Sequence, residues 1–129
     1  MVCCNRFMAF IVIGMAVSKY YYSSSEAELI KCLEKIFYIS QSELNRSQQK
    51  FLMHFQIGMK TKSTSVIAKN KLKKSNKEFI KYRDLQGDFA YSLGGGAIGN
   101  ALNMLKYTYL AELNFQRTKQ LDLYWSDCL

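Results

Sequence analysis

The chain has 129 residues, a formal charge of +8 and 49% hydrophobic residues, which suits one globular domain and argues against wholesale disorder. It contains no proline and only seven glycines, a poor supply for the many turns of sandwiches and barrels, so the composition favours helices. Its single histidine disfavours His-rich metal sites and His-based triads before any motif is read.

Residues 1–18 read as an export signal. Arg6 supplies a short basic start, and Phe7 to Val17 is an apolar run of 11 residues, short of the ~20 that span a bilayer. Ala16 and Ser18 put small residues at the two specificity positions of a signal-peptidase cut. Cleavage after Ser18 is predicted, leaving one domain over 19–129. An uncleaved interfacial anchor is the alternative, since Lys19 and the aromatic run Tyr20 to Tyr22 follow directly. Cleavage removes Arg6, Cys3 and Cys4, so the mature chain carries +7 and two cysteines, Cys32 and Cys128. Two cysteines in an oxidising compartment are a candidate disulfide.

Three helices are predicted. Ser25 and Glu28 form a capping box at the start of the first, in which the hydroxyl takes a free helix N–H and the carboxylate reaches back. Leu29, Leu33, Ile36, Phe37, Leu44, Phe51, Leu52 and Phe55 then recur at helical spacing to about Gly58, with Ser40 and Ser47 at two stripe positions. Residues 60–65 read as a polar connection. The second helix is placed at 66–91, with Leu72, Phe79, Ile80, Tyr82, Phe89 and Ala90 as its buried candidates. Gly94, Gly95 and Gly96 break it, and Asn100 caps a third helix with the stripe Leu102, Leu105, Tyr109, Leu113, Leu121 and Tyr124. The fold class is therefore all-α, a small antiparallel bundle of three long helices after a signal peptide. In such an up-down-up bundle Cys32 and Cys128 lie at opposite ends. No bond between them is expected, and both thiols are left free or open to intermolecular pairing.

From Ser25 onward the chain resembles the LprI-type lysozyme inhibitor domain, a small secreted bacterial helical domain. That family opens its first helix with Thr, Glu and Cys, matched by Ser25, Glu28 and Cys32, and continues with an acidic-Leu-Asn step, matched by Glu43, Leu44 and Asn45. Its second helix carries Leu, Gln, Trp and an Arg-Asp pair, matched by Leu72, Asn76, Phe79, Arg83 and Asp84. After a glycine-rich turn, its last helix has Glu-Leu-Thr and Arg, matched by Glu112, Leu113, Asn114 and Arg117. Two family cysteines are replaced by Gly87 and Tyr109, and a third, near Tyr20, is absent. The paired replacement fits loss of one disulfide. The resemblance implies a non-enzymatic domain that inhibits or sequesters a lysozyme or other peptidoglycan-lytic enzyme, with Cys32, Asn45, Phe79 and Arg117 in structural roles.

Catalytic constellations are missing from the sequence. There is no Ser-His-Asp set, G-x-S-x-G, C-x-x-C or H-E-x-x-H, and neither cofactor nor metal is expected. The run Gly94 to Asn100 lacks the Lys-Ser/Thr of a phosphate loop and reads as a helix–helix turn. His54 reads as an ordinary histidine on an amphipathic helix. Arg83 and Asp84 are candidates for partner recognition, set against an ion pair that ties the second helix to a neighbour. Asn45 either bridges helices from a buried position or contacts a partner.

Lys69, Lys71, Lys73, Lys74 and Lys77 crowd one stretch, with Lys60, Lys62 and Lys81 around them and Glu78 the one acid between Lys60 and Lys81. They form either a solvated helix face or a contact for an anionic partner, such as an envelope polymer or a membrane surface. Nucleic acid is disfavoured: it requires cytosolic retention, and no aromatic residue interrupts Lys60 to Glu78 to offer a stacking surface. The expected location is periplasmic or secreted. A charge of +7 would meet a cationic lysozyme with long-range repulsion.

Overall fold

The computed structural model describes residues 26–57, 62–93 and 100–128. The export signal, Ser25 of the capping box and the glycine run 94–99 lie outside these residues. Three helices make up the fold: α1 (Glu26–Ile57, 32 residues), α2 (Lys62–Ser92, 31 residues) and α3 (Asn100–Cys128, 29 residues). Each is about 45 Å long at ~1.5 Å per residue. The second helix begins before its predicted start. Residues 62–65 are helical, and Ser65 turns inward to donate its hydroxyl to the Phe55 carbonyl near the end of α1. A polar tetrapeptide looks like a loop in sequence because hydroxyls serve caps and turns equally well, yet here it opens a helix and ties off a neighbouring helix end.

Contacts fix the directions of the helices. Phe37 meets Tyr107, Ser40 meets Asn114, Ser47 meets Asp122 and Phe51 meets Trp125. Both numbers rise together, so α1 and α3 run parallel. Against α3, α2 descends: Asp88 pairs with Lys106, and Ser75 meets Arg117. The bundle is therefore up-down-up, with α3 packed against both other helices and α2 touching α1 only lightly.

The core is divided along its length. One apolar cluster joins Leu29, Cys32, Leu33 and Ile36 to Met104 and Ala111, and another joins Leu44, Phe51 and Leu121, with Leu72, Phe79 and Trp125 partly buried against it. Between them sits a layer of Ser40, Gln41, Arg83 and Asn114. Of the seven glycines, Gly87 alone falls within these helices, and it does so where α2 approaches α3 closely. A Cβ there would come within 2.8 Å of Leu110 Cδ2.

Two of the predicted stripes need correction. On α2, Ala90 is buried and Leu72 and Phe79 are half-buried, but Ile80, Tyr82 and Phe89 are exposed. The inward face runs instead through Ser65, Leu72, Asn76, Phe79, Arg83, Gly87 and Ala90, at steps of three, four and seven. On α3, Tyr109 and Tyr124 are exposed, and the buried line is Met104, Ala111, Asn114 and Leu121 beside Leu110. The middle of that line is an alanine and an amide, which hydrophobicity does not flag. Contact with two partners also widens the apolar sector and blurs its phase.

Cys128 is free and exposed, so it does not bond Cys32. Parallel packing of α1 and α3 puts the two at opposite ends of the bundle, as expected. The expectation of a free Cys32 thiol concerns the chain without residues 1–18; in the full-length chain Cys32 is disulfide-bonded.

Candidate functional site

Arg83 projects from α2 into the polar layer and is buried to 8% exposure. Its Nη1 donates to Asn114 Oδ1 at 3.1 Å and to Gln41 Oε1, while its Nε donates to Asp84 Oδ1 at 2.9 Å. Its guanidinium also lies 5.7 Å from the Phe37 ring centroid. Asn114 completes the layer by donating to Ser40 Oγ at 3.0 Å, and Ser40 in turn donates to the Phe37 carbonyl at 2.7 Å. Side chains from all three helices thus share one hydrogen-bonded network, and the planar fork of arginine suits it because it can serve several acceptors at once. Arg83 is therefore turned inward, whereas Asp84 stays exposed at the edge. Asn45 does not bridge helices. It is exposed and accepts from Gln41 Nε2 at 3.0 Å within α1.

Arg117 ties α3 to α2. Its Nη2 donates to Ser75 Oγ at 2.7 Å, its Nη1 donates to Gln120 Oε1 at 2.6 Å, and its guanidinium lies 5.9 Å from the Phe79 ring centroid. Burial pulls the guanidinium below its ordinary range, with Tyr124 acting in the opposite direction.

Charge is distributed unevenly over the bundle. Basic and acidic residues balance on α1 and again on α3, whereas α2 carries eight basic residues against three acids. Lys71, Lys73, Lys74 and Lys77 are exposed, Lys69 is half-buried, and none of the five makes an ion pair among the described residues. Glu78 sits among them. The hydrogen bond and charge of Lys81 hold its carboxyl below the usual range against an opposing effect of desolvation, and Lys77 and Lys74 add to the lowering.

A shallow groove runs between α1 and α3, lined by Glu43, Arg46, Ser47, Lys50, Thr118 and Asp122. Ser47 Oγ donates to Asp122 Oδ1 across it at 2.8 Å. Below its end, Trp125 packs edge-on against Phe51 with centroids 5.3 Å apart, and Lys50 Nζ lies 4.2 Å from its ring centroid. Sequence reasoning missed Trp125, Gln41 and the central place of Asn114. The one available signal was spacing: Trp125 and Asn114 stand four and seven residues on either side of Leu121.

Among the described residues no helix is long and apolar enough to cross a membrane. No curated protein and no solved structure matches the chain. The family described as lysozyme inhibitor LprI matches residues 18–121, a span that takes in α1, α2 and most of α3 together with the polar layer that joins them. On that match the chain belongs to the LprI lysozyme inhibitor family.

Proposed function

We propose that this protein is an exported, non-enzymatic inhibitor that binds a lysozyme or another peptidoglycan-lytic enzyme. The observation that carries this reading is the family match over residues 18–121, which runs through all three helices. The match also begins at the end of the segment read as an export signal, which supports a leader at 1–18 and a single inhibitor domain at 19–129.

Charge selects the contact face. A cationic enzyme would be repelled by α2, while the groove between α1 and α3 is balanced, with Glu43 and Asp122 beside Arg46 and Lys50. Partner recognition is therefore assigned to that groove, where the two carboxylates meet basic side chains of the enzyme. Arg83 acts from inside, holding α1 and α3 in register. The test is equilibrium binding of a purified lysozyme to the wild type and to the Glu43→Lys, Asp122→Lys double variant. Loss of binding in the variant is the expected result, with thermal melts confirming that it folds. Unchanged affinity would remove the groove as the contact.

A further inference from the structure

The outward side of α2 carries a ridge that the inhibitor reading does not use. Ile67, Lys71, Lys74, Glu78, Tyr82, Leu85 and Phe89 follow one another at steps of three or four, so they share one face of the helix. Leu85 is 67% exposed, Phe89 57% and Tyr82 52%, and Leu93 just beyond them is exposed as well. The ridge from Ile67 to Phe89 is about 33 Å long. Lysines populate its first half and a Tyr-Leu-Phe cluster its second. Large apolar side chains gathered on one exposed face mark a contact surface.

We propose that this ridge docks the protein on an anionic phospholipid bilayer. Lys71, Lys74 and the flanking Lys77 engage headgroup phosphates, and Tyr82, Leu85 and Phe89 enter the boundary between headgroups and acyl chains. Charge complementarity identifies the occupant. The excess positive charge of the described helices lies on α2, and these lysines form no ion pair among the described residues. A second copy of this chain would set lysine against lysine. A hydrated anionic polymer would satisfy the lysines but leave Leu85 and Phe89 in water, whereas a bilayer interface accommodates both, with aromatic rings at headgroup level. The opposite side of α2 is already occupied, since Phe79, Arg83 and Gly87 face the bundle.

The experiment is vesicle flotation of the full chain, so that any contribution from residues 1–18 is common to every variant. Phosphatidylglycerol vesicles are compared with phosphatidylcholine vesicles at low and physiological salt. Stronger partition onto the anionic vesicles, weakened by salt, is expected. The Lys71→Gln, Lys74→Gln, Lys77→Gln variant should lower it by roughly 100-fold, taking each lysine as worth about a factor of five at an anionic surface. The Leu85→Ser, Phe89→Ser variant should lower it even at low salt with all lysines present, and Glu78→Gln should raise it. All these positions are exposed, so circular dichroism melts should match the wild type. Equal partition onto both vesicle types, or full partition by either multiple variant, would overturn the proposal. So would tighter binding to soluble poly(glycerol phosphate) that survives Leu85→Ser, Phe89→Ser, which would make the partner a hydrated polymer.

Discussion

The carboxamide of Asn114 on α3 donates to Ser40 Oγ on α1 at 3.0 Å, and both side chains are wholly removed from solvent. The pair sits midway along the bundle, where an apolar contact would have been the simpler way to join two helices. With Arg83 and Gln41 it converts the contact into a register mark: a shift of either helix by one turn would leave a buried amide and a guanidinium without partners. Unmet groups of that kind cost far more than a met pair contributes.

Asn114→Ala should therefore cost about 2–4 kcal/mol, because Arg83 loses an interhelical acceptor while remaining buried. The double variant Arg83→Met, Asn114→Leu should recover most of that loss, since it removes the charge and its acceptor together. Urea melts of the three proteins check this. A double variant less stable than Asn114→Ala would show that the network contributes net stability and not only register.

Gly87 and Leu110 define a second helix contact. The resembled family's second cysteine pair maps by sequence onto Gly87 and Tyr109, yet Gly87 faces Leu110, and Tyr109 is exposed. The Gly87→Cys, Leu110→Cys protein should close a disulfide on air oxidation, stabilising the bundle by about 3 kcal/mol for a loop of this length. Gly87→Cys, Tyr109→Cys should stay reduced. Thiol counting in a Cys128→Ser background distinguishes the two, and closure of the Tyr109 pair alone would move the α2/α3 register by one residue.

Much of the fold was legible because long apolar periodicity without proline leaves few alternatives to helices. Most of the α1 stripe is legible: Leu29, Leu33, Ile36, Leu44 and Phe51 are buried together with the two serines, and Phe37, Leu52 and Phe55 are half-buried. Legibility failed where burial and hydrophobicity separate. Tyr82 and Phe89 are apolar and exposed; Arg83 and Asn114 are polar and buried. Helical spacing alone puts Arg83 in line with Phe79 and Ala90, but a charged residue on an apolar stripe reads first as an interruption. The site suffered from the same effect. The lysines are visible as a cluster, while Tyr82 and Phe89 of the same ridge read as core residues from their apolar character.

Phe79 is half-buried, with Arg117 beside its ring. Phe79→Ala should accordingly cost about 2 kcal/mol, less than the ~3–5 kcal/mol of a fully buried phenylalanine. Phe51→Ala should reach that higher range, because Phe51 is buried and meets Trp125 edge-on. Equal costs in chemical denaturation would mean that the second apolar cluster extends further onto α2 than its exposure indicates.

In the full-length chain, Cys128 should react with a maleimide in the folded protein without reductant, whereas Cys32 should react only after reduction and unfolding. Cys128→Ser should leave stability within about 0.5 kcal/mol of wild type, as for other exposed substitutions. Peptide mapping of the labelled protein reads both outcomes. Rapid labelling of Cys32 would contradict its disulfide.

The most direct test of the inhibitor assignment is the rate at which a purified lysozyme hydrolyses a soluble oligosaccharide as the protein is titrated in, at low and at physiological salt. Activity should fall to a low plateau near equimolar protein. Inhibition should tighten as salt rises, because screening removes the repulsion between two cationic proteins while the short-range groove contacts remain. Full hydrolysis in the presence of a large excess at both salt concentrations would contradict lysozyme as the target.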